Sequence, residues 1–540
     1  MEYITRGVCG QEGCRETRYY LDNGLWFCRR GHQQEGRQVE ADADDFGTHG
    51  RTSRIKKAAV EKAQRTYRGR QASRLFLQVY QLILWKQSYT LVQSRGFPPE
   101  FENVIRDLWA LHLDTFADQI NELSELNDEP RFFSSQPASS FDEPPEAKLG
   151  TTQTKWPRLI DSVALCYIAA LLMRLPVSIE DFHRMAIRGE MPFIRIIKDI
   201  PREMRDRLPP QFIAILETTK LIQPEHLHGA VADLLSYYHH RFDMQFPPLN
   251  WPFLLYRYIK RLALPIDIYP AVKRLQHLLG FSFAYPTGTN GRRRPLQLPE
   301  VQVVVLIVIS TKLLFPFDDY NRYPLSSKEP SVQVIDWVLW AQNQRNYDRE
   351  RTAGGRLGKG NEISVAEKDI LSMTPSQMDE YMDWYESSWL DHSKAQNPLA
   401  SFFPVNVNAS ESQTASASVE GNDAEALLSM LRTSTSQLKP TKVITGESID
   451  TPRPGSAYAR YRTEADLPET ARPFFETTAK VAGISLSTLV RAVSQAEHKI
   501  TRWLEEHRRV EAIKDTLDTD VSRDTSEMDD QDMSESGEGE

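Results

Sequence analysis

The sequence predicts a mostly α-helical, multidomain chain whose only β structure lies at the amino terminus. Three observations lead there. Apolar residues recur at helical spacing from about residue 71 to residue 346, interrupted by loops. Strand-type patterns are confined to the first 35 residues. A chain of 540 residues is also too long for one hydrophobic core and should divide into three or more units.

The β unit comes first, at residues 1–35, and holds three of the four cysteines. Cys9-x4-Cys14 and Cys28-x3-His32 form two ligand pairs separated by thirteen residues. Two such pairs on tight turns offer Zn²⁺ the four soft or borderline ligands of a tetrahedron. Gly10, Gly13 and Gly31 let the backbone curl around the metal. Between the pairs, Thr17–Leu21 and Leu25–Phe27 flank Asp22-Asn23-Gly24, a hairpin signal. Ligand turns joined by a β-hairpin make a zinc ribbon with one structural Zn²⁺ held by Cys9, Cys14, Cys28 and His32. So short a unit does not bury enough surface to fold without its metal.

A charged connector follows at 36–70, with little periodicity. Arg51–Arg74 carries nine bases against the single acid Glu61. Arg51, Arg54, Lys56, Lys57, Lys62, Arg65, Arg68 and Arg70 are candidates for contact with DNA phosphates or with an acidic protein surface. The alternative is a solvated basic helix or a nuclear-import signal. At the other end, residues 515–540 hold eleven acids and only Arg523 as a base, a net of −10 out of −9 for the whole chain. This polarity suits an interaction protein better than an enzyme.

The helical body divides into a first repeat at 71–245, with an inserted loop at 128–156, and a second at 246–346. Ile160, Val163, Ala164, Tyr167, Ile168, Leu171 and Leu172 give one apolar stripe. Leu175-Pro176-Val177-Ser178-Ile179 matches Leu264-Pro265-Ile266-Asp267-Ile268 at an offset of 89, with Ser178 and Asp267 in N-cap positions. The offset suits two stacked cyclin-like helical domains; the alternative is ordinary helix–turn–helix punctuation. Arg292, Arg293 and Arg294 form a basic loop in the second repeat, suited to a DNA-backbone contact or to solvent.

A helical region at 347–403 contains the capping box Thr374-Pro375-x-Gln377, which launches Met378, Tyr381, Met382, Tyr385 and Trp389 as one face. Residues 404–456 are Ser/Thr/Asn-rich and read as disordered around a helical patch at Ala424–Arg432. Helices return at 457–514, where Leu486, Leu489, Val490, Val493, Ile500 and Trp503 share a face, and 515–540 reads as a disordered acidic tail.

Several classes are set aside. The longest apolar run, Val303–Ile309, has seven residues, against the roughly 20 of a membrane span. No apolar signal core opens the chain, and four cysteines do not make a disulfide framework. Cys166 reads as a buried core residue, and His226, His228, His239 and His240 as surface or capping residues. No nucleotide-loop, zincin or serine-hydrolase motif occurs, so no catalysis and no small-molecule substrate are expected.

The ordered series of segments resembles TFIIB-type initiation factors, in their RNA polymerase I branch. It comprises the ribbon Cys9–Cys14 with Phe27–Gly36, then Tyr67–Leu75 and Val79–Gln87. Later come Leu298–Glu300, Ser310–Asp318 and Tyr381–Glu386. This is the family of the TFIIB-like subunit of the fungal core factor and of its animal TBP-associated relative. The resemblance implies a zinc ribbon followed by two cyclin-like repeats. It implies a nuclear and nucleolar factor that binds the ribosomal-RNA gene core promoter. Its implied partners are RNA polymerase I, TBP and other core factor subunits. The ribbon departs from the two-residue, all-cysteine loops of general TFIIB. An alternative is a cyclin-type regulatory subunit of a kinase that carries a zinc ribbon.

Overall fold

Proline sets many of the helix starts. Pro210, Pro224, Pro252, Pro299, Pro375 and Pro473 each stand in a first turn, where the missing N–H costs nothing. The computed structural model describes residues 4–5, 9, 13–22, 25–38, 66–125, 156–218, 221–286, 294–351, 357, 360–365, 367–389, 411–446 and 451–532. The chain separates into two compact units, Met1–Gln64 and Arg65–Glu540. The inserted loop at 128–156, except Trp156, and most of the connector lie outside the described residues. No helix among the described residues is long and apolar enough to cross a membrane.

The first unit is an antiparallel sheet of β1 (Ile4–Thr5), β2 (Arg18–Asp22), β3 (Leu25–Cys28) and β4 (Gln33–Gln38), in that order. Register pairs Asp22 with Leu25 and Tyr19 with Cys28, as a two-residue hairpin connection requires.

In the second unit, α1 (Gly69–Arg95) and α2 (Glu100–Glu125) pack together against α3 (Leu159–Leu172). Helix α4 (Ile179–Ile187), the short α5 (Arg202–Arg205) and α6 (Pro210–Leu216), and α7 (Pro224–Phe242) complete this domain, with α7 lying on α3 and α4. The expectation of a single apolar stripe on α3 is corrected. From Ser162 to Leu171 every residue is buried, because α3 is enclosed on all sides by α1, α2, α4 and α7.

The second domain begins with α8 (Trp251–Arg261), α9 (Ile268–Leu279) and α10 (Pro299–Leu314). Helix α10 is its enclosed centre, buried from Val303 to Lys312. The chain then departs through β5 (Gln333–Val334), α11 (Trp337–Arg351), α12 (Glu367–Ile370), α13 (Pro375–Trp389), α14 (Glu411–Ser436) and β6 (Lys439–Pro440). It returns as α15 (Arg472–Ala482) and α16 (Leu486–Asp532), both packed on α10. Two segments far apart in sequence therefore build one core.

This arrangement decides the meaning of the Leu-Pro repeat. One copy follows the central α3, whereas the other follows α8, which buries one face only. The counterpart of α3 is α10, so the repeat is helix punctuation and not the domain period. Ser178 does cap α4, its Oγ accepting from Asp181 N at 3.2 Å, while Asp267 makes no side-chain cap.

Other expectations are refined. Among the described residues the body contains one strand pair, β5 with β6, too short to leave an alternation in the sequence. The patch Ala424–Arg432 lies inside the longer α14, which packs on α11 and buries Met430 beside Ala263 and Tyr347. Helix α16 continues to Asp532, and 533–540 lie outside the described residues. The α13 capping box forms, with Gln377 Oε1 accepting from Thr374 N at 3.0 Å, but Met382 and Tyr385 on its apolar face are exposed. His228 is buried and bonds the Ala482 carbonyl at 3.2 Å, which corrects its surface reading. Cys166 is buried as expected, and burial pushes its thiol up to about 12.

Polar contacts tie the two domains together. Arg257 of α8 reaches Asp181 of α4 at 2.9 Å. Glu300, at the start of α10, accepts from Tyr167 Oη at 2.7 Å and from Ile179 N at 3.0 Å. Burial raises the Glu300 carboxyl from 4.5 to about 8, against the opposing pull of those two donors. Between these values the folded chain keeps a proton that the unfolded chain has released. Glu300 therefore makes stability fall as pH rises through that window. Glu300→Gln should flatten this decline, as measured by denaturant unfolding at several pH values from 4.5 to about 8. An unchanged profile would mean that Glu300 does not carry it.

Candidate metal centre

The β2–β3 hairpin places Cys28 at the end of its strand, and the chain turns back at once. Cys28 N donates to His32 O at 3.0 Å, and Gly31 N to Cys28 O at 2.8 Å. Gly31 has φ +83° and Gly13 φ +84°, left-handed values that a side chain would strain. On the opposite side, Cys9 N donates to Glu16 O at 3.0 Å. These turns bring Cys9, Cys14, Cys28 and His32 together with all their ligand atoms within 4.8 Å of one another. His32 presents Nδ1, 3.5 Å from Cys28 Sγ and 4.0 Å from Cys9 Sγ.

That spacing fits a tetrahedral Zn²⁺, whose bond lengths of about 2.3 Å to sulfur and 2.0 Å to nitrogen separate ligands by roughly 3.5 Å. Burial raises the Cys28 thiol, but hydrogen bonds from the His32 and Arg30 backbone outweigh it and favour the thiolate. All three cysteines and Tyr19 are buried around the centre, with Trp26 packed beside them. With four protein ligands the metal has no open position. Its chemistry here is structural.

Family models match in the same order along the chain. The zinc finger of RNA-polymerase I-specific TFIIB, Rrn7, matches residues 3–36. The N-terminal cyclin domain of Rrn7/TAF1B matches 80–202, and the C-terminal cyclin domain matches 220–389. The chain belongs to the Rrn7/TAF1B family.

Relatives span most of its length. The RNA polymerase I-specific transcription initiation factor rrn7 of Schizosaccharomyces pombe is 25% identical, over 91% of this chain and 96% of the relative. RRN7 of Saccharomyces cerevisiae is 21% identical over 73% of each. A TATA box-binding protein-associated factor of RNA polymerase I from Danio rerio is 26% identical, over 63% of this chain and 66% of the relative. A crystal structure of the S. cerevisiae core factor matches 82% of this chain and 100% of that one at TM-score 0.48 and 16% identity.

The family assignment corrects the kinase-regulator alternative, because the matching cyclin domains are those of Rrn7/TAF1B. The C-terminal model ends at residue 389, yet the second core of this chain closes only on α15 and α16.

Of the basic candidates, Arg51, Arg54, Lys56, Lys57, Lys62, Arg65, Arg292 and Arg293 lie outside the described residues. Arg68 and Arg70 are exposed at the start of α1, and Arg294 is exposed just before α10. Tyr67 is anchored there, its N–H donating to Arg207 O at 2.9 Å and its hydroxyl accepting from Arg207 Nη1 at 3.1 Å. The sequence reading carried the basic stretch to Arg74 but did not include the exposed residues that continue it along α1, Gln78, Gln81, Trp85 and Tyr89. The signal was present, since Gly69–Arg95 contains no Asp or Glu.

Proposed function

We propose that the protein is an RNA polymerase I-specific transcription initiation factor that binds the ribosomal-RNA gene core promoter within a multisubunit core factor. It acts in the nucleus, at the nucleolus, by binding rather than by catalysis. The observation that carries the reading is the order on one chain: zinc ribbon, basic connector, two cyclin domains of the Rrn7/TAF1B type. The names of the full-length relatives support it. In this reading the ribbon and connector face the polymerase, while the cyclin domains face DNA, TBP and the partner subunits. Arg292, Arg293 and Arg294 contact the DNA backbone.

The connector is the functional hinge of the proposal. Eight bases between Arg51 and Arg70 suit water, phosphate or an acidic partner, because unpaired charges in a packed core cost several kcal/mol each. Changing Arg54, Lys56, Lys57, Lys62 and Arg65 together to alanine should leave zinc content, folding and subunit assembly intact. Initiation in a reconstituted ribosomal-promoter assay should fall, and promoter affinity should depend less steeply on salt. Full activity with an unchanged salt slope would leave the connector as a solvated linker or import signal.

A further inference from the structure

Helix α1 presents one continuous solvent face. Arg70, Arg74, Gln78, Gln81, Trp85 and Tyr89 are all exposed and recur every three or four residues. The opposite side is committed to the core through Phe76, Val79, Tyr80, Ile83 and Leu91. The remaining cations of the helix are engaged elsewhere: Lys86 Nζ bonds the Asp199 carbonyl at 2.5 Å, and Arg95 pairs with Glu190. Arg70 and Arg74 have no ion-pair partner among the described residues. Trp85 is 52% and Tyr89 47% exposed, and their rings stack at 5.5 Å with planes 24° apart.

Two large aromatics held parallel in water make a flat apolar platform with an open π-face. The absence of acids along 27 residues of helix selects for a polyanion. Cationic and stacking groups spread over about 29 Å of one ridge, with amide side chains between them, match what a strand with unpaired bases requires.

We propose that this face of α1 binds a single strand of nucleic acid, with phosphates on Arg70 and Arg74 and an unpaired base stacked on the Trp85–Tyr89 pair. The inference rests on the initiation reading only for the source of the strand, which is the opened promoter. Strand binding itself is measured without polymerase.

The test uses the full chain, a labelled oligothymidylate and a duplex of equal length. The combined Trp85→Ala and Tyr89→Ala variant should lose roughly tenfold or more in single-strand affinity, with duplex affinity changed by less than about twofold. The Arg70→Ala and Arg74→Ala pair should make the salt dependence shallower by roughly 1.4 in log–log slope. Phe253→Ala with Tyr256→Ala, equally exposed aromatics on α8, is the control and should leave binding unchanged. Conserved zinc content and thermal transition in every variant would exclude misfolding. Wild-type single-strand affinity in the Trp85/Tyr89 variant would overturn the proposal, as would equal losses for strand and duplex. Intact strand binding with no initiation activity would count against the initiation reading and leave this surface standing.

Discussion

A chain that stops at residue 466 is expected to lose its second helical domain, although the family's cyclin model ends well before that point. Helix α10 depends on α15 and α16 for part of its enclosure. The cut removes Phe474, Phe475, Ala479, Leu489, Val490 and Val493, all buried. At about 2 kcal/mol for each large side chain, the loss reaches on the order of 10 kcal/mol, comparable to the whole stability of a domain. The cut also strands a buried charge. Lys312 Nζ sits 2.5 Å from Glu497 Oε1, with the rings of Tyr458 and Tyr461 at 4.4 and 4.5 Å. Breaking such a pair from one side costs roughly 3–5 kcal/mol.

Calorimetry or circular dichroism should show the 466-residue chain without the cooperative transition of that domain. Removing only 515–540 should leave the transition unchanged, because α16 from Leu504 to Ile513 is already exposed. A normal transition in the shorter chain would refute the closure. A large drop on removing the acidic tail alone would mean that the tail packs on the body.

The second large effect concerns zinc. A fragment covering residues 1–64, a compact unit by itself, should bind one Zn²⁺ and unfold when a chelator removes it. Among the described residues its core is three cysteines, Tyr19 and the flank of Trp26, so the metal supplies most of the folding free energy, about 10–16 kcal/mol for such sites. Cys28→Ser should abolish stoichiometric binding, since the thiolate that the Arg30 and His32 backbone favours is lost. Metal analysis and the near-ultraviolet signal of the fragment report both effects. A fragment that stays folded without metal would refute a structural role.

The residues themselves determined the metal centre, because a ligand turn is local. Cys28 to His32 is closed by backbone hydrogen bonds three and four residues long, Cys9 N is tied to Glu16 O just past Cys14, and the hairpin between them is set by two residues. Helix starts such as Ser178 and Thr374 were legible for the same reason, their caps reaching only three residues ahead. The family's ordered segments gave the cyclin domains. Tertiary structure alone decided which helices are central. Periodicity distinguishes a face from a back, but α3 and α10 have no back, and an all-round apolar helix looks much like a striped one until its neighbours are placed. It also decided that α15 and α16 close a core begun some 200 residues earlier, since no local signal records a partner across such a loop. The burial of Glu300 followed from the same packing: a carboxylate at a helix start reads as a solvated cap until a second domain covers it.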